Sequence, residues 1–178
     1  MKKIKILVIL GLFGLNFASA QGWRATTTAI GFTAKMLGVR VDGKFKGFQG
    51  NIIFDANNLN TASLSGTVDA ATIDTDNNLR NTHVKEKKEF FEVVKFPKLK
   101  MESTKIEKSG SAYIGTFNFT IKSITKSLKI PFTVDISGDK AVFKGSTKIN
   151  RKDWGIGGNT LGMSNDVTLN ILINTTKI

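Results

Sequence analysis

The chain has no cysteine. Disulfides, thiolate metal sites, a cysteine nucleophile and a lipid carried on an N-terminal cysteine are all excluded at once. Histidine is nearly as scarce, with His83 the single one among 178 residues. One histidine cannot build a multi-histidine metal centre, and no second histidine stands a helical turn away as zinc-binding helices require. A Ser-His-Asp triad would have to use His83, but no Gly-x-Ser-x-Gly elbow occurs. Asp74 and Asp76 lie two apart, without the acidic count or terminal glutamate of a calcium loop. Gly155-Ile156-Gly157-Gly158 lacks both the dinucleotide-binding and the P-loop spacing, and reads as a flexible loop. The residues therefore point to no metal and no cofactor.

What is abundant is lysine and phenylalanine. Lysine plus arginine number 26 against 14 acidic residues, a formal charge of +12. Lys2, Lys3 and Lys5 precede an apolar run from Ile6 to Phe17, and Ala18-Ser19-Ala20 supplies a small-residue cleavage site. That is the pattern of a signal peptide over residues 1–20, with residues 21–178 left as one exported domain, periplasmic or secreted. The run is too short for a membrane span of ~20 residues. Much of the remaining lysine alternates with apolar residues, as in Lys44/Lys46, Lys98/Lys100 and Lys144/Lys148. Such spacing sets the cations on the outer faces of strands. A basic surface also attracts polyanions. Nucleic acid is not expected, since no nucleic-acid-binding motif accompanies the charge. Attraction to an anionic membrane surface stays open.

From Trp23 onward hydrophobicity alternates with period two and turn residues recur at short intervals. Strands are expected over Trp23–Lys35, Gly38–Gly47, Phe48–Asp55, Leu64–Ile73, Leu99–Thr104, Tyr113–Lys122, Leu128–Ile136 and Ala141–Ile149, with a last one carrying Val167 to Ile173. Eight or nine strands joined by short turns make an all-β antiparallel barrel or sandwich. One stretch breaks the pattern: NNLRNTHVKEKKEFFEVVKFP, Asn77 to Pro97. It reads as a short helical segment around 78–90, holding Arg80 and His83 and closing on Phe90 and Phe91. Arg80 suits either an anionic group, which a guanidinium binds bidentately, or a salt bridge to a carboxylate such as Asp74. His83 suits a loop hydrogen bond or a ligand contact. By strand parity Phe32, Phe45, Phe54, Phe117, Phe119, Phe132 and Leu169 face inward. They either pack a solid core or line a cavity, and a barrel of ~8 strands allows both.

Arg80, His83, Phe90, Phe91 and Pro97 stand in the order of a motif of the YceI-like family, the exported polyisoprenoid-binding proteins. GKFKGFQGNIIFD (Gly43–Asp55), FNFTIKSITKSLKIPF (Phe117–Phe132) and INRKDWGIG (Ile149–Gly157) resemble three further blocks of that family. The chain departs from the pattern at Asn81 (usually aspartate), Val84 (leucine), Ser123 (glycine) and Met36 (often histidine). The resemblance implies an extended, antiparallel, eight-stranded lipocalin-like barrel. Its elongated apolar cavity would take up an amphiphile with a long isoprenoid tail. On this reading the seven inward residues line the cavity, and Phe90 and Phe91 gate its mouth beside Arg80 and His83.

The expectation is thus a binding protein, not an enzyme, that stores or carries an isoprenoid quinone or polyprenyl compound. Its partners are the isoprenoid lipid, an anionic membrane surface met transiently, and a second copy of the chain in a homodimer. Two other readings remain. A filled barrel would act through its basic surface on anionic lipid or envelope components. An enzyme would act on a bound amphiphile through His83 or Arg80. A continuous internal cavity separates the first reading from the second.

Overall fold

The computed structural model describes residues 21–178; the expected signal peptide over 1–20 lies outside them. Eight strands close into one antiparallel barrel in sequence order: β1 (Gly22–Met36), β2 (Val39–Ile53), β3 (Ser63–Asp74), β4 (Lys98–Ser109), β5 (Ala112–Ile121), β6 (Ile124–Ser137), β7 (Lys140–Asn150) and β8 (Asp166–Lys177). β8 returns to pair with β1, so no strand edge is left open. One helix, α1 (Asn78–Glu86), joins β3 to β4. The alternation allowed an all-β barrel or a sandwich, and the structure is the eight-stranded barrel that the family resemblance implied, with its outer lysines exposed and its phenylalanines turned inward. That polarity is the reverse of a membrane-spanning barrel, whose outer face is apolar. Among the described residues no helix is long and apolar enough to cross a membrane.

The two strands expected over Gly38–Gly47 and Phe48–Asp55 are one continuous strand. Val41, Gly43 and Phe45 face inward, then Phe48, Gly50, Ile52 and Phe54 do, so the alternation slips by one residue between them. The slip is a bulge at Gly47, whose φ is +72°, and the β2–β3 register shifts on both sides of Lys46. A bulge of this kind bends and twists the strand without ending it. A side chain at Gly47 would also collide with the Asp69 carboxylate. Glycine is required there twice over.

The β1–β2, β5–β6 and β7–β8 connections and α1 lie at one end of the barrel. The β2–β3, β4–β5 and β6–β7 turns and both ends of the described chain lie at the other. At this second end the core is solid. Phe54 is wholly buried and packs edge-on against Tyr113, Phe132 and Phe143, with ring centroids 5.0–6.3 Å apart. Trp23 closes the layer, its indole N–H donating to the Phe54 carbonyl at 2.9 Å.

Among the described residues the wall has a gap between β3 and β4, and the segment after α1 fills it. β4 begins at Lys98, opposite Asp69, so Ala70 to Asp74 extend past their neighbour. Among the described residues, only the backbone bond from the Ala70 N–H to the Pro97 carbonyl (2.9 Å) joins the two segments there. Residues 87–97 cover the space and send Phe90 and Phe91 into the core. The helix therefore ends at Glu86, earlier than the expected 90: Lys87 is already extended, and the next turns are shaped by burying the two rings. At its start Asn77 accepts from the Arg80 amide at 2.9 Å, an ordinary N-cap.

Candidate ligand cavity

Above the Phe54 layer the barrel is hollow. A lower chamber of about 150 Å³ is bordered by Ile30, Phe48, Val68, Met101, Phe117, Ile130, Phe132 and Ile171 among others. An upper chamber of about 380 Å³ opens toward α1 and is bordered by Phe32, Ile73, Val84, Phe90, Phe91, Ile121 and Val167. Phe45, Leu99, Phe119 and Leu169 border both chambers and form a waist between them. Together the two fall within the roughly 300–1,000 Å³ of ordinary ligand pockets. The interior is not filled from end to end.

Polarity is graded along this axis. The polar residues bordering the lower chamber, Ser65, Thr67, Lys100 and Lys144, lie on the outward parity of their strands, so apolar side chains make its surface. The upper chamber is bordered by Thr75, Asn77, Arg80, His83, Arg151 and Thr160. A tail would meet only hydrocarbon below the waist. A headgroup would meet donors above it.

The residues named from sequence fall in four places. Phe45, Phe119 and Leu169 stand at the waist, Phe117 and Phe132 in the lower chamber, and Phe32, Phe90, Phe91, Arg80 and His83 in the upper one. Phe54 borders neither, being the centre of the closed-end plug. Phe90 and Phe91 are buried in the wall below the rim, Phe91 edge-on to Phe45 at 5.8 Å and Phe90 edge-on to His83 at 5.3 Å. Space for the Phe32 ring comes from Gly43, its cross-strand partner, where any side chain would overlap it.

Arg80 makes no salt bridge to Asp74. Its Nε donates to Thr75 Oγ1 (2.8 Å) and one terminal nitrogen to the Thr75 carbonyl (2.6 Å). The other terminal nitrogen has no protein partner among the described residues. Asp74 is held instead by the Asp76 amide (3.0 Å), the Asn81 side-chain amide (3.1 Å) and Lys44 (3.2 Å). These donors, the Asp76 amide foremost, bring its carboxyl from the ordinary 3.8 to about 2. Asn81 also accepts from the Thr75 amide and hydroxyl at 2.8 and 2.7 Å. The asparagine that departs from the family motif thus anchors the first turn of α1 to the end of β3.

Among the chamber residues not singled out from sequence, one carries a charge and is deeply buried. Arg151 is only 3 % exposed. Its Nε donates to the Ser164 carbonyl (2.9 Å), one terminal nitrogen to those of Ile156 (2.6 Å) and Gly158 (3.1 Å), and the other to the Met163 carbonyl (3.2 Å) and Asn165 Oδ1 (3.5 Å). No carboxylate lies within salt-bridge distance among the described residues, and burial pushes its pKa down. The guanidinium organises the loop from 155 to 165 over one side of the chamber and places an unneutralised positive charge in its wall. The only hint in the sequence was its place in the block INRKDWGIG.

Among the described residues no group of three or more His, Asp or Glu could hold a metal.

Three similarities join this geometry. A solved structure of BcnA from Burkholderia cenocepacia superposes with a TM-score of 0.80 at 25% identity, over 84% of this chain and 96% of that one. A polyisoprenoid binding domain from Saccharophagus degradans, implicated in plant cell wall breakdown, shares the fold at a TM-score of 0.69 and 12% identity, over 89% and 99%. A UPF0312 protein of Serratia proteamaculans is 32% identical over 141 residues, 74% of this chain and 71% of that protein. The family described as YceI-like domain matches residues 23–175, nearly the whole of the barrel. The chain belongs to the YceI-like family.

Proposed function

We propose that this barrel is an exported carrier or store for an amphiphile with a long isoprenoid tail, an isoprenoid quinone or a polyprenyl compound. The observation that carries the reading is the two-chamber apolar lumen, polar only at its open end. Each buried methylene of a tail contributes ~0.8 kcal/mol, so a chain threaded through the waist is held without any reacting group. The free terminal nitrogen of Arg80 and the positive charge of Arg151 favour a headgroup that presents oxygen: a quinone carbonyl, a hydroxyl or a phosphate. The polyisoprenoid-binding relative supports the tail class. The apolar run and Ala18-Ser19-Ala20 support export.

The test is extraction of the protein, purified from its native host without denaturation, into organic solvent, followed by mass spectrometry. A stoichiometric isoprenoid is expected, on a polypeptide whose intact mass begins at Gln21. A clean extract, with no uptake of added quinone or polyprenyl lipid, would overturn the carrier reading.

A further inference from the structure

Nine large apolar side chains are exposed among the described residues, and seven of them cluster at the mouth end of the barrel. Val94, in the segment after α1, is the most exposed of the seven at 97 %, and the next three come from three different connections around the upper chamber. Leu37, 76 % exposed, is in the β1–β2 turn, Leu79 (83 %) on α1, and Leu161 (91 %) in the β7–β8 loop. Only Ile136 and Ile178 are exposed at the plugged end. A random scatter of surface leucines needs no explanation, but a ring around the opening of an apolar cavity does.

Leu37 adds a second, independent observation. Its φ is +50°, with Gly38 following at +79°. That left-handed turn favours asparagine or glycine, and a leucine there is disfavoured. Its side chain lies over Gly162, and its N–H donates to the Gly162 carbonyl at 2.8 Å. The turn and the loop therefore present Leu37 and Leu161 side by side. Strain kept at an exposed apolar position points to a use outside the folded chain.

Cations flank the apolar residues in sequence: Lys35 precedes Met36 and Lys95 follows Val94. The excess of basic over acidic residues is +9 for residues 21–178. An apolar ring interleaved with cations on a basic body matches the boundary of an anionic bilayer, where apolar groups enter the acyl region and cations meet headgroups. A second copy of the chain fits less well, since its like charge repels. We propose that the mouth of the barrel docks on an anionic phospholipid bilayer, with Leu37, Leu79 and Leu161 inserted. The cavity then opens directly onto the lipid. The surface is independent of which molecule fills the cavity, so failure of docking and failure of the carrier reading are distinguishable.

The experiment is sedimentation of the purified protein with vesicles of phosphatidylcholine, with and without phosphatidylglycerol and free of isoprenoids. Binding is expected to the phosphatidylglycerol vesicles. It should fall by about tenfold or more in L37D/L79D/L161D, and stay unchanged in I136D/I178D, as loss of inserted apolar groups requires. Should the triple variant fold poorly, Leu37→Gly decides: it relieves the turn, so its melting temperature should hold or rise while vesicle binding weakens. The proposal is overturned by no binding to phosphatidylglycerol vesicles, or by equal loss in the variants of the two ends. It is also overturned if light scattering shows a dimer that the rim substitutions dissolve, because the ring would then be a self-association face.

Discussion

Asp74 sits where strand, helix and mouth meet, and its ionisation is tied to that junction. Its folded pKa is depressed to about 2 from 3.8. A depressed carboxyl adds stability that is complete above its unfolded value and is lost as pH falls through the folded one. Acid unfolding followed by circular dichroism should therefore lose this contribution between pH 3.8 and about 2. Asp74→Asn should flatten the stability profile in that window and lower stability at neutral pH, where the contribution of the ionised carboxyl is complete. The residues around Asp74 also show what a sequence withholds at this scale. Arg80 and Asp74 are six apart and oppositely charged, so a salt bridge between them is a fair expectation. Three nearer donors saturate the carboxylate, and Thr75 takes Arg80. Which of several plausible donors reaches an acceptor is a matter of ångströms that residue type does not encode.

The loop from 155 to 165 is held chiefly through one side chain. Lysine at 151 would keep the charge, but it has three donors on one point where arginine offers five in a planar fork. Arg151→Lys should leave several loop carbonyls unmatched and lower the unfolding free energy by ~2–4 kcal/mol in denaturant titration. Faster amide exchange at Ile156 and Met163 should accompany it if the loss is local to the loop. Elements were legible in sequence wherever alternation ran unbroken, as in β5, where Tyr113, Phe117, Phe119 and Ile121 all face inward. They were misread where one residue changed the phase. Gly47 reads as a strand terminator because the pattern restarts after it, yet a bulge restarts a pattern equally well. The end of α1 was hidden for a related reason: Phe90 and Phe91 close a gap between β3 and β4 that exists only once the barrel is assembled.

At the scale of the molecule the lumen has a length limit. A chain entering from α1 must pass Phe45, Leu99, Phe119 and Leu169 to reach the lower chamber. Leu169→Trp should narrow that waist. Mass spectrometry of lipid retained from a mixed-length polyprenyl pool should then show a shift to shorter chains, with little change in the total bound. Overpacking a waist beside open space is milder than overpacking a solid core, where ~1–3 kcal/mol is typical. Parity alone put seven residues inside the barrel, and all seven are inside. It could not separate Phe54, which plugs one end, from Phe45, which lines a cavity, because parity reports the face of a sheet and not the height along it.

The plugged end carries both ends of the described chain: the Gln21 carbonyl accepts from the Phe54 amide at 2.8 Å, and the Gly22 carbonyl from that of Ile178 at 3.1 Å. Strands of this length, tilted as barrels require, put the opposite rim roughly 35–40 Å away. A tether, an affinity handle or a fused partner joined directly at Gln21 or at Ile178 therefore leaves from the base of the cup. It would hold the vessel upright, with its opening unobstructed and facing away from the support.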